Sequence, residues 1–137
     1  MERKKYITKT GEEFSYLASD IKKGSRNFVF VHATGFNAET YKILFNKIKI
    51  HFDNEINIYA IDQRGHGMTN AKSEPDNLKS WDICVDDGKD FIESIEGEVM
   101  CSGHSMGSII AAKLASLNPS KVSHLFMIEP VLYGPLE

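Results

Sequence analysis

The sequence contains little cysteine and little proline, with two cysteines and four prolines among 137 residues. Neither Cys84 nor Cys101 has metal-ligand spacing to the other or to a histidine. The pattern favours two reduced thiols that pack as small apolar residues. We therefore predict neither a metal nor a cofactor.

Long apolar runs and an excess of positive charge are also missing. No run is long enough to span a bilayer, and residues 1–6 lack the apolar stretch of a signal peptide. The formal net charge is −3, and basic groups cluster only in short runs at residues 3–5 and 22–26. These absences predict a cytoplasmic protein with no membrane association and no nucleic-acid partner.

Strand-like and helix-like segments alternate along the chain, and the apolar content of 42% can supply a core. Two strands, residues 5–10 and 14–19, predict a hairpin around Gly11. Further strands are predicted at residues 27–31, 56–61, 98–102 and 122–128. Helices are predicted after the cap Asn37, after Ser80 or Asn77, and over residues 108–115.

This alternation predicts an α/β fold, with a mostly parallel sheet entered through an antiparallel hairpin and covered by helices on both faces. In such sheets the reactive groups collect beyond the carboxyl ends of the strands. The loops that begin at His32, Asp62, Gly103 and Glu129 follow predicted strands. We therefore expect them to converge at one edge.

Residues 103–107 read G-x-S-x-G between a predicted strand and a predicted helix. This context is typical of a nucleophile elbow, in which a sharp turn projects the Ser105 hydroxyl above the end of a sheet. Gly103 and Gly107 flank the serine, where a Cβ would collide across the turn. Ser105 is therefore the candidate nucleophile.

Three motifs, taken together and in this order, resemble the α/β-hydrolase family. Residues 32–36, HATGF, resemble the oxyanion loop after the third strand, although Ala33 stands where glycine is usual. Residues 62–67, DQRGHG, resemble the D-x-R-G-x-G loop after the fourth strand, and residues 103–107 resemble the elbow after the fifth. The resemblance covers the N-terminal part of the family core and implies a partial domain over residues 1–137, truncated after the sixth strand.

The resemblance implies a serine hydrolase that acts on a small-molecule ester or other acyl substrate. Ser105 would be the nucleophile, and the backbone amides of Met106 and Thr34 would form the oxyanion hole. In part of the family the acid follows the sixth strand, where Glu129 stands; the alternative for Glu129 is a loop carboxylate without a catalytic role.

The family's triad order is Ser, acid, His. The cap, the last two strands and the His loop would follow the sixth strand and are absent from this sequence. His124, which does follow Ser105, falls inside a predicted strand and is a poor base. The remaining histidines are interpreted as structural: His32, His51, His66 and His104.

Two functions remain open. The chain is either a serine hydrolase represented by a truncated chain, or a non-catalytic fragment or binding module. The intact elbow favours the first and the missing base favours the second; the chain alone is expected to be inactive. A lyase or acyltransferase is compatible with the elbow, whereas a dehalogenase of this family would have Asp in place of Ser105.

The apolar run Val122–Ile128 carries no proline, Lys, Arg, Asp or Glu. As an exposed edge strand, this run predicts self-association of the chain.

Overall fold

The computed structural model describes residues 1–74, 76 and 80–131. Within these residues the chain forms one mixed sheet with helices on both faces. The strands are β1 (Glu2–Ile7), β2 (Glu13–Ala18), β3 (Arg26–Val31), β4 (Ile56–Ile61), β5 (Val99–His104) and β6 (Val122–Ile128). The helices are a 3-10 turn (Ala38–Tyr41), α1 (Lys42–His51), α2 (Asp82–Glu93) and α3 (Met106–Leu117).

The strand order in the sheet is β1-β2-β4-β3-β5-β6. Strand β2 runs antiparallel to β1 and β4, whereas β4, β3, β5 and β6 are mutually parallel. Every residue of β4 is buried, because a strand in the middle of such a sheet is covered on both faces. Its one polar residue, Asn57, donates hydrogen bonds to the Lys22 carbonyl and to Asn27 Oδ1. The predicted α/β fold is confirmed.

Two apolar clusters cover the two faces of the sheet. On one face α2 and α3 contribute Phe91, Ile92 and Leu114. On the other face α1 and the 3-10 turn contribute Phe45 and Ala38, which pack with side chains of β3 and β4. Burial of these side chains holds the helices against the sheet, so the loops at the strand ends start from a rigid frame.

The structure corrects the predicted start of the hairpin, because β1 spans Glu2–Ile7 rather than residues 5–10. The hydroxyl and carbonyl of Thr8 accept the N–H groups of Glu12 and Gly11, at 3.0 Å in both cases. These local bonds turn the chain at Thr8, since a threonine side chain competes with the strand ladder for backbone groups. The basic residues 3–5 therefore lie in the edge strand.

The predicted helix starts are largely confirmed. The Asn37 side chain accepts the Thr40 N–H at 3.3 Å and caps the 3-10 turn that leads into α1. Helix α2 begins at Asp82, and its N-cap position is Trp81, one residue after the predicted Ser80. The Ser80 hydroxyl still accepts the Asp82 N–H, at 3.2 Å. Asn77, the alternative cap, lies outside the described residues. Helix α3 begins at Met106, directly after Ser105, as expected for the helix that follows the elbow.

Candidate active site

Ser105 lies at the junction between β5 and α3, and its backbone is strained. It has φ 53° and ψ −118°, a conformation that is uncommon for a residue with a side chain. Its N–H donates to the Ile128 carbonyl at 2.9 Å, which joins the turn to the end of β6. The sheet therefore holds Ser105 half-buried at the carboxyl edge of its parallel strands.

The glycines on either side of Ser105 allow the chain to turn this sharply. A Cβ at Gly103 would overlap the Gly107 carbonyl, and a Cβ at Gly107 would overlap the Val31 carbonyl at the end of β3. Both obstacles are backbone atoms, which cannot rotate aside as a side chain can. Close backbone approach, rather than positive φ, is thus what requires glycine at these two positions.

The loop after β3, residues 32–37, lies against the start of α3. The Thr34 hydroxyl donates to the Met106 sulfur at 3.1 Å. Within the described part of the chain, neither the Thr34 nor the Met106 amide N–H donates to a protein acceptor. The positive φ of this loop falls on Gly35 rather than on Ala33, so alanine in place of the usual glycine is accommodated without strain.

His32 is completely buried and uses both ring nitrogens within the protein. Its Nδ1 donates to the Ala33 carbonyl at 2.7 Å, and its Nε2 accepts the Gln63 N–H at 2.9 Å. Burial lowers the pKa of His32 to about 4, because the charged ring would lose its hydration. His32 is therefore a neutral structural residue near neutral pH.

His66 joins the loop after β4 to the loop after β3. Its Nδ1 donates to the Arg64 carbonyl at 2.9 Å, and its Nε2 accepts the Gly35 N–H at 3.0 Å. Both nitrogens are occupied, so His66 positions residues 32–37 and offers no free lone pair.

His104 directly precedes Ser105, and its ring is held by Tyr41. The Tyr41 hydroxyl lies 2.8 Å from His104 Nδ1 and 3.1 Å from the Ala33 amide nitrogen. Tyr41 thus links the residue before Ser105 to the residue before Thr34.

The remaining candidates lie in or just after β6. His124 pairs in register with Met100, whereas Ile128 pairs with His104. His124 is therefore four residues, or about 13 Å along the strand, from the Ser105 end of the sheet, and it is exposed. Glu129 follows Ile128 at the level of Ser105, is exposed, and also has a positive φ of 45°.

The loop after β4 carries two charged residues that are fully engaged in the structure. Arg64 forms two parallel hydrogen bonds to Glu12, at 2.6 and 2.7 Å, and two to Asp87, at 2.8 and 3.0 Å. The Asp62 carboxylate is buried and accepts from Arg3 at 2.7 Å and from the Ala38 amide at 2.8 Å. Sequence reasoning missed the partners Arg3 and Glu12, because no local pattern links the hairpin to a loop some 50 residues away.

The hydrogen bonds from Arg64 lower the pKa of Glu12. In return, the carboxylates of Glu12 and Asp87 raise the pKa of Arg64, so its guanidinium stays charged.

Both cysteines are buried and free, and burial raises the pKa of Cys84 to about 11 and of Cys101 to about 12. Neither thiol is a thiolate near neutral pH, so neither is a nucleophile there.

Two further classes of site receive no support from the residues that the structure describes. These residues contain no group of three or more His, Cys, Asp or Glu side chains that could hold a metal ion. They also contain no helix with the length and apolar character needed to cross a membrane.

A family model described as "Serine aminopeptidase, S33" matches residues 24–137. The chain belongs to this α/β-hydrolase family. The resemblance inferred from the three motifs is thereby confirmed. The family model begins at residue 24, so it does not include the hairpin β1–β2.

The names of individual relatives of this S33 family member denote several different activities. Protein phosphatase methylesterase 1 of Candida albicans is 30% identical over 123 residues, which cover 85% of this chain and 32% of that protein. Epoxide hydrolase 4 of Homo sapiens is 29% identical over 123 residues, which cover 89% of this chain and 32% of that protein. The chain therefore spans about a third of the length of these curated relatives.

Solved structures share the fold of this S33 family member. A bacterial membrane phospholipase A superposes with a TM-score of 0.82 at 19% identity, covering 99% of this chain and 42% of that chain. The thioesterase domain from the curacin biosynthetic pathway has a TM-score of 0.80 at 19% identity, covering 98% of this chain and 48% of that chain. At these identities the likeness shows the fold alone.

Proposed function

We propose that this S33 family member is a serine hydrolase that cleaves ester or other acyl bonds in a small molecule, with Ser105 as the nucleophile. The observation that carries the proposal is the Ser105 backbone, with φ 53° between two glycines packed against backbone carbonyls. Strained conformations at the carboxyl edge of a parallel sheet are typical of functional residues.

The backbone amides support the same chemistry. As Ser105 Oγ bonds to the substrate carbonyl carbon, its proton passes to a base and the carbonyl electrons move onto oxygen. The Met106 and Thr34 N–H groups, which have no protein acceptor in the described residues, would hold that oxyanion. Met106 begins α3, where the helix dipole favours negative charge. Glu129, level with Ser105, is the proposed acid.

The base is proposed to come from outside the described residues. Both nitrogens of His32 and His66 are engaged, and His104 Nδ1 faces the Tyr41 hydroxyl. His51 and His124 are exposed, at the end of α1 and within β6. A serine without an adjacent base is a weak nucleophile; in subtilisin, loss of the His lowers turnover by roughly a million-fold.

Two of the relatives, "Protein phosphatase methylesterase 1" of Candida albicans and "Probable protein phosphatase methylesterase 1" of Dictyostelium discoideum, favour a carboxylic ester as the substrate. The second candidate function is a non-catalytic binding module that keeps the fold. The specific observation in its favour is the same engagement of the histidine nitrogens around Ser105.

Labelling with a fluorophosphonate probe, with and without added free imidazole, tests the proposal. Imidazole can replace a missing base, so we expect slow labelling that rises with imidazole concentration and disappears in Ser105→Ala. Ser80→Ala, at an exposed serine before α2, is the matched control and should label like the parent. A folded protein that stays unlabelled at every imidazole concentration would contradict the hydrolase proposal and favour the binding-module alternative.

A further inference from the structure

The Tyr41 hydroxyl stands between two loops of the candidate site. It lies 3.1 Å from the Ala33 amide nitrogen and 2.8 Å from His104 Nδ1. The Tyr41 ring packs between Phe30 and Phe45, with ring centroids at 4.6 and 6.3 Å. The position of the hydroxyl is thus set by the core and not by solvent.

The direction of each hydrogen bond follows from the chemistry of the three groups. A backbone N–H can only donate, so the Tyr41 oxygen accepts from Ala33. The hydroxyl proton then needs an acceptor, and within the described residues the one in reach is His104 Nδ1. Burial raises the pKa of Tyr41, so the hydroxyl keeps this proton near neutral pH.

This arrangement determines where His104 carries its own proton. A neutral imidazole has one N–H and one lone pair, and the lone pair of Nδ1 is already used. The proton therefore resides on Nε2. In the described part of the chain Nε2 has no protein partner, and His104 is half-buried beside Ser105.

The surroundings of His104 suggest what Nε2 meets. Phe36, in the loop that carries Thr34, is 44% exposed, and its ring centroid lies 6.1 Å from those of His104 and Tyr41. The three rings form an apolar surface next to Ser105, with one neutral N–H donor in it. Such a surface suits an uncharged acyl compound better than an ion, because it offers one hydrogen bond and no compensating charge.

We infer that Tyr41 locks His104 as an Nε2–H donor, which hydrogen-bonds an uncharged oxygen of the ester or acyl substrate beside Ser105. The identity of the ligand as a substrate rests on the proposed function, whereas the proton position does not. His104 is thereby a substrate-binding residue and not the base, and Tyr41 is its positioning residue.

The proton position is measured by a long-range 1H–15N spectrum of protein labelled with 15N-histidine. At about pH 8 we expect a single Nε2–H tautomer for His104, assigned by its loss in His104→Gln. Tyr41→Phe, which keeps the ring, should give a mixture of tautomers. An Nδ1–H tautomer in the unmodified protein would overturn the inference, whether or not the Tyr41 variant folds.

The substrate contact is measured separately, by titrating methyl butyrate into Ser105→Ala, where no covalent step can occur. We expect the His104 Nε2 resonance to move on binding, and affinity to fall about threefold to tenfold in Ser105→Ala/His104→Phe, which corresponds to one neutral hydrogen bond. Ser105→Ala/His51→Gln, altered at an exposed histidine, is the matched control. Unchanged affinity in the His104 variant, or no binding by the parent variant, would contradict the substrate contact.

These outcomes are distinct from failure of the proposed function. If Ser105 never reacts with the fluorophosphonate, the tautomer and the methyl butyrate contact can still be observed, and the surface is then a binding site alone. If Ser105 reacts but His104 carries its proton on Nδ1, this inference fails while the hydrolase proposal stands.

Discussion

Ser105 and Glu129 are neighbours at adjacent strand ends, and both have positive φ. Asp53 and Asn54 share this feature, but they follow α1, where a left-handed residue commonly ends a helix. Ser105 and Glu129 follow strands instead, and the bond from Ser105 N–H to the Ile128 carbonyl ties them together. Backbone strain is therefore concentrated where the chemistry is proposed.

At the residue scale, Gly107→Ala tests the close approach that permits this strain. The new Cβ would overlap the Val31 carbonyl, so β3 and α3 must separate, and we expect a loss of about 2–3 kcal/mol of unfolding free energy or failure to fold. Urea denaturation measures the change.

Gly88→Ala is the matched control, since Gly88 is also helical and its Cβ would meet only the flexible end of Leu114, at 3.0 Å. Its stability should change by less than about 1 kcal/mol. Equal effects of the two substitutions would contradict the steric argument for Gly107.

At the element scale, strand β6 has an exposed edge. It pairs with β5 on one side, and in the described residues no strand lies on the other. Its side chains after Val122 are exposed, including Phe126 at 52%. An uncharged, apolar edge of this kind offers unpaired backbone groups to a second strand.

We propose that the chain self-associates through β6 and predict that Phe126→Lys shifts it toward monomer, since an edge lysine resists strand pairing. Light scattering coupled to size-exclusion chromatography measures the mass. Ile43→Lys, at an apolar side chain of α1 that is 75% exposed, should leave the association unchanged. A monodisperse monomer of the unmodified chain at high concentration would refute the proposal.

The elements themselves were readable from local signals. Strand β4 is apolar except for Asn57, and the Asn37 side chain forms the expected cap. Local signals failed at the hairpin, where Thr8 bonds its own turn and ends β1 three residues before the predicted end of that strand. They could not have shown that Glu12 pairs with Arg64, or that Tyr41 reaches His104, because these contacts exist only after the sheet assembles.

At the scale of the whole molecule, stability should depend on pH through His32. Its pKa is about 4 when folded and about 6.5 when unfolded, so between these values the unfolded chain binds more protons. Unfolding free energy is therefore highest above about pH 6.5 and falls as the pH drops toward 4, by about 3 kcal/mol in total. The lowered pKa of Glu12 adds a loss of the same sign at still lower pH.

Urea denaturation at several values between about pH 4.5 and 7.5 checks this prediction, because the unfolding free energy should change with pH over that range. His32→Asn cannot titrate and should be less stable at neutral pH, with little dependence on pH over that range. The same slope in the variant as in the parent would assign the pH dependence to other groups.

The fit of Gly107 against Val31 also bears on how the chain folds. Strand β3 pairs with β5 across some 70 residues of chain, and Gly107 meets the Val31 carbonyl only when that pairing is complete. Contacts of such long sequence separation form slowly, because the intervening loop must be closed before they can stabilise anything. A partly folded chain would thus contain the G-x-S-x-G sequence without its geometry, and we expect the strained conformation of Ser105 to form late in folding.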